Sequence, residues 1–161
     1  MRYTLPLLLL LATPSLGAAQ HIDRPLLPLM PLIDSLVVVT GGAPDTILLR
    51  PTPLNGPPNT TGFYDPQRRH MRVAPDSPNR RRTLMHEFGH LLQDGNPALL
   101  WAWVDLEVGN GAMPTRDDLE QFANDFRDAF DALSHHTLPR KSGALLIATA
   151  IAPQLATLPA N

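Results

Sequence analysis

His86 and His90 stand four residues apart, with Glu87 directly after the first, in the stretch His86-Glu87-Phe88-Gly89-His90. On a helix, residues four apart lie about 40° apart around the axis and roughly 6 Å along it. Both imidazoles can then converge on one metal ion. Zinc accepts nitrogen ligands in a tetrahedral shell and, with three protein ligands, keeps one position for water. Glu87 falls beside such an ion rather than on it, where its carboxylate can take a proton from that water. The chemistry expected of this spacing is metal-assisted hydrolysis.

Two histidines leave the site one protein ligand short. A glycine three residues and a histidine six residues past His90 would be one solution, that of the metzincins, but those positions hold Gln93 and Asn96. The other solution is an acid on a following helix. Glu120 is the leading candidate, with Glu107 and Asp105 behind it. Glu120 sits about 100° around from Leu119, at the edge of an apolar stripe, and an edge position can aim a carboxylate into a cleft between packed helices.

The elements that must position these groups are legible as patterns. Leu84, Phe88, Leu91 and Leu92 give the His86–His90 segment an apolar face at helical spacing. Ser77 can cap this helix, Pro78 suits its first position, and Gly95 can stop it. Asn96-Pro97 opens a short apolar helix to about Leu106. Thr115 and Asp118 form a cap for a helix over about 116–134, whose stripe is Leu119, Phe122, Ala123, Phe126, Phe130 and Leu133. Gly143 to Ile151, closed by Pro153, is an apolar segment expected to pack on the core. Upstream, residues 21–31 read as an irregular or polyproline lead-in. Leu32 to Thr40, with its β-branched run, reads as a strand that forms a hairpin with Thr46–Arg50 across Gly41–Asp45. Pro51 to Thr61 reads as a loop with a turn at Asn55-Gly56-Pro57-Pro58. Gly62–Tyr64 and His70–Val73 read as a second hairpin. The expected fold class is α+β, with a short mixed or antiparallel sheet from two hairpins, then the His-bearing helix and a second ligand-bearing helix.

At this point the chain resembles the zincin metallopeptidases, in their gluzincin branch, and most of all small catalytic domains of the anthrax-lethal-factor type. Those domains carry H-E-F-G-H, matched at 86–90, and later a helix with a pattern like E-x-F-A-E-x-F, matched by Glu120, Phe122, Ala123 and Phe126. The likeness spans roughly residues 62–134. It implies zinc ligands at His86, His90 and Glu120, Glu87 as general base, and an edge strand around His70–Ala74 that holds an extended peptide substrate. Two positions depart from the pattern. Met113 stands where such domains often carry an oxyanion-stabilising tyrosine, a role for which Tyr64, His135 and His136 are substitutes to consider. Asn124 stands where the pattern has an acid that can orient a ligand histidine.

Composition sets the outer bounds. The chain has 161 residues, 43% of them hydrophobic, 18 prolines, no cysteine and a net charge of −2. This suits one domain with many loops, held without disulfides, and gives no sign of a nucleic-acid partner. The arginines at 68, 69, 72, 80, 81 and 82 read mainly as a solvated face, and Trp101 and Trp103 as core or groove wall. Residues 1–19 read as a signal peptide: Met1-Arg2, an apolar run at Leu5–Leu11, then Gly17-Ala18-Ala19 before Gln20. A single domain over 20–161, secreted or periplasmic and not inserted in a membrane, is expected. A second class remains open, an exported zinc-stabilised binding module or inactive peptidase relative.

Overall fold

The computed structural model describes residues 21–51 and 61–157. The expected signal segment and the turn at Asn55–Pro58 lie outside these residues. The fold is α+β, as expected, and the described residues form a four-stranded mixed sheet and five α-helices. The strands are β1 (His21–Ile22), β2 (Thr46–Leu49), β3 (Gly62–Asp65) and β4 (His70–Val73). The helices are α1 (Met30–Thr40), α2 (Arg80–Gly95), α3 (Pro97–Glu107), α4 (Arg116–Ser134) and α5 (Ser142–Leu155).

The N-terminal third departs from the sequence reading. Arg24–Leu29 is a 3₁₀ helix, and Leu32–Thr40 belongs to α1 rather than to a strand. Leu32, Ile33, Leu36, Val37 and Thr40 are all buried, and they fall on one side of a helix. Pro31 lies in the first turn, and Gly41, left-handed at φ 69°, closes the last. The helix propensity lost at Val37–Val39 is a few tenths of a kcal/mol per residue, small beside the burial of the stripe. Thr40 spends its hydroxyl on the Leu36 carbonyl, 2.8 Å away.

The first expected hairpin is therefore absent. β1 and β2 are parallel neighbours with α1 as their crossover, and β2 pairs in parallel with β4. Parallel strands need a connection of a dozen or more residues, which 23–45 supply. The second hairpin is present: Tyr64 lies opposite Met71 and Asp65 opposite His70, with Arg69 at φ 51° in the turn. The sheet order is β1-β2-β4-β3. β4 is thus interior, and β3 is the outer strand on that side, which corrects the expected edge.

The later helices follow their patterns closely. The cap of α2 lies two residues beyond the expected one: Asn79, not Ser77, accepts from the Arg82 amide at 3.0 Å. Ser77 is buried and bonds the Thr83 hydroxyl at 2.9 Å. Asn96 caps α3, and Thr115 with Asp118 forms a reciprocal capping box on α4. α5 packs on α4 as expected but runs through Pro153, which sits in its last turn. Trp103 is core, while Trp101 is 41% exposed and lies outside the cleft beside the histidines.

α2 lies at the centre, against β3 and β4 on one side and α4 on another. Its core side chains Leu84, Phe88 and Leu92 are buried, as are Phe122, Phe126 and Phe130 of α4. A Cβ at Gly89 would stand 2.7 Å from the Ala123 Cα, so these two helices touch backbone to backbone. That close crossing brings the histidines of α2 to Glu120.

Candidate metal centre

His86, Glu87 and His90 sit mid-helix on α2, one turn on from Arg82 and Thr83. His86 and His90 turn toward α4, and Glu87 turns toward β3. One nitrogen from each histidine and one oxygen of Glu120 lie within 4.8 Å of one another. His86 Nε2 is 3.1 Å and His90 Nε2 3.7 Å from the same oxygen, Glu120 Oε2. The two rings meet edge to face, with centroids 4.9 Å apart. Metal–ligand bonds near 2.1 Å in a tetrahedron would set such donors roughly 3.4 Å apart. The observed spacing needs only small side-chain adjustments, and two nitrogens with one carboxylate are a donor set suited to a divalent metal ion. The residues present therefore fit a metal ion. Of the acids weighed as third ligand, Glu120 alone joins the cluster. Glu107 accepts from Ser142, and Asp105 from the Gly111 amide.

Burial and mutual charge act in opposite directions on the members of the cluster. The nearby His90 ring, joined by the charges of both imidazoles and by the hydrogen bond with His86, holds the Glu120 carboxyl down to about 2. The shorter contact is nevertheless that of His86, and the geometry favours His86 as the direct partner. Burial pushes His86 down, reinforced by the neighbouring His90. Burial also opposes charge on His90, but Glu120, Glu87 and Gln93 outweigh it and raise that group.

Glu87 is only 4% exposed. Burial pushes its carboxyl up to about 8, with the charge of His90 opposing, the charge of Glu120 adding and the Tyr64 amide opposing through a hydrogen bond. The carboxylate reaches that amide because residue 62 is glycine: a Cβ there would collide with Glu87 Oε1. In the β3–β4 ladder, Thr61 accepts from the Ala74 amide at 2.8 Å. Antiparallel alternation then turns the backbone polar groups of Gly62 and Tyr64 to the outer edge. The cluster opens on a cleft of about 870 Å³ whose walls include Gly62–Tyr64 of β3, Arg82 and Thr83 of α2, and Asn124 and Arg127 of α4.

Of the residues considered for an oxyanion role, Met113, His135 and His136 lie outside the cleft lining. Met113 is 78% exposed. Tyr64 lines the same cleft, but its phenol is buried beside the charges of Asp94, Arg69, Asp45 and Asp65. His135 and His136 lie at the far end of α4, roughly 20 Å along the axis from Glu120. Asn124 accepts from Arg127 Nη1 at 2.6 Å, and Arg127 also donates to Asp128. Among the clustered arginines, Arg82 alone lines the cleft. Arg69 donates to the Ala43 carbonyl and Arg80 to the Pro75 carbonyl.

Two residues that sequence reasoning passed over belong to the site. Gln93 accepts from His90 Nδ1 at 3.0 Å and donates to the Leu119 carbonyl. Its position three residues after His90 on one helix face was the available signal. Gly62 carried no local signal, since its role arises only where β3 meets α2. No known protein family, characterised protein or solved structure matches the chain.

Proposed function

We propose that the protein is an exported zinc-dependent peptidase, related in design to the gluzincins, that hydrolyses peptide bonds with Glu87 as general base. The observation that carries this reading is the joint placement of the His86-His90-Glu120 cluster and the buried Glu87 beside one open cleft. His86, His90 and Glu120 would hold the ion. Zinc bound there would acidify a water molecule and polarise a carbonyl group. Glu87 would take the proton of the attacking water and pass it to the leaving amine. Its placement on the cleft wall beside the ligand cluster suits that exchange. The outward Gly62 amide and the outward carbonyls of Gly62 and Tyr64 on β3 would hold an extended peptide by main-chain hydrogen bonds, a role the resemblance had given to the strand now found inside the sheet. Export rests on the signal-like residues 1–19, and N-terminal sequencing of protein from the culture medium or periplasm should begin at Gln20.

The deciding experiment pairs metal analysis with a peptide-library digest. Wild-type protein should bind about one zinc per chain and cleave. Glu87→Gln should keep the zinc and lose cleavage, and full activity in that variant would rule the mechanism out. The exposure of Met113 and the distance of His135 and His136 favour a second reading, a zinc-stabilised binding module. Its signature is bound zinc with no peptide cleaved by the wild type.

A further inference from the structure

We infer that Gln93 is a positioning residue of the metal centre: it sets the tautomer of His90 and ties the two ligand-bearing helices together beside the cluster. This rests on the metal-site reading above and extends it to a residue outside the ligand set. The Gln93 side chain has one acceptor and one donor end, and each has a partner of the right kind. Its Oε1 lies 3.0 Å from His90 Nδ1, and its Nε2 donates to the carbonyl of Leu119, the residue before Glu120.

An amide oxygen only accepts, so the His90 contact requires the proton on Nδ1. That leaves the lone pair on Nε2, the nitrogen that faces Glu120 Oε2. The imidazole is thereby presented in the tautomer a metal ion needs. The second bond fixes the amide orientation, since a rotated amide would set oxygen against the Leu119 carbonyl. One side chain therefore couples the ring orientation of His90 to the docking of α4 at Glu120. Neither a shorter side chain nor an apolar one of equal length does both.

The test compares wild type with Gln93→Met and Gln93→Glu. Zinc affinity is measured by competition with a chromophoric chelator, and the His90 ring nitrogens by 15N NMR of metal-free protein at a pH where the ring is neutral. Wild type should show Nδ1–H on His90. Gln93→Met should lose that preference and bind zinc about 10- to 100-fold more weakly. Gln93→Glu keeps an acceptor for Nδ1–H but loses the donor to the Leu119 carbonyl, so it should retain the tautomer and bind zinc with an affinity between those of wild type and Gln93→Met. An Nε2–H tautomer in the wild type would overturn the inference whether or not any variant folds. So would zinc affinity unchanged in Gln93→Met, even with a lowered melting temperature, because that is what a purely structural role would give. A wild type with the Nδ1–H tautomer that takes up no zinc would instead defeat the metal-site reading and leave the tautomer assignment standing.

Discussion

Glu87 owes its position to the missing side chain at residue 62. The carboxylate fills the space a Cβ would take and reaches the Tyr64 amide on the outer strand. Gly62→Ala should push the carboxylate away while leaving His86, His90 and Glu120 in place. Displacements of about 1 Å at a catalytic group can cost on the order of 10²-fold in rate. The expected outcome is a loss of that order in turnover with zinc stoichiometry unchanged. Turnover equal to wild type would show that the close approach has no part in the chemistry. His86, Glu87, His90 and Glu120 were legible in the sequence because their signal is spacing along helices. Gly62 and Gln93 were not read, because what they do depends on which strand and which helix arrive beside them. Met113 shows the same boundary from the other side: its position relative to Glu120 was readable, its exposure was not.

The contact between α2 and α4 is the element-scale feature on which the cluster depends. Gly89 lets the α2 backbone meet Ala123, and His86 and His90 reach Glu120 across that seam. Gly89→Ala has a better helix former but would overpack the crossing, at a cost of about 1–3 kcal/mol. Urea unfolding should show a lower midpoint and metal titration a weaker site; a midpoint equal to or above wild type would mean the helices separate freely. A second element-scale prediction concerns β1, which is tied to β2 through Asp23. Its carboxylate accepts from the Leu49 amide at 2.8 Å and from Arg50 at 2.9 Å. The Leu49 bond, with the charges of Arg50 and His21, holds this carboxyl below its ordinary value despite some burial. A lowered folded pKa gives stability that is present above the unfolded value and lost as pH falls through the folded one. Asp23→Asn should therefore lower the unfolding midpoint near neutral pH and narrow the gap to wild type as pH falls toward about 2. A constant gap would exclude the titration. Helices α2, α3 and α4 were legible to within a residue or two, since stripe and cap are both local. α1 was misread because Val37–Val39 suggested a strand more loudly than Leu32, Ile33, Leu36 and Val37 suggested a helix. The parallel β1–β2 and β2–β4 pairings were not readable, because they join segments far apart in the chain.

At the scale of the whole molecule, the chain has no cysteine to clamp it, and the candidate ligands come from two helices separated by α3. A bound metal would join α2 directly to α4, the pair whose seam carries the centre of the core. Anything that binds the folded state alone stabilises it by mass action, about 2.7 kcal/mol at a hundredfold excess over Kd. For a domain of this size that corresponds to a rise in melting temperature of about 5–11 °C. The zinc-loaded protein should melt that much higher than the chelated protein. His90→Ala removes one donor from the cluster and should abolish the zinc-dependent increment. An increment that survived His90→Ala would place the ion elsewhere. Equal midpoints for loaded and chelated wild type, with zinc in excess, would show that the cluster holds no metal in the folded protein. In that case His86 and His90 would serve only as partners for the Glu120 carboxylate, and neither the hydrolytic nor the zinc-stabilised reading would stand.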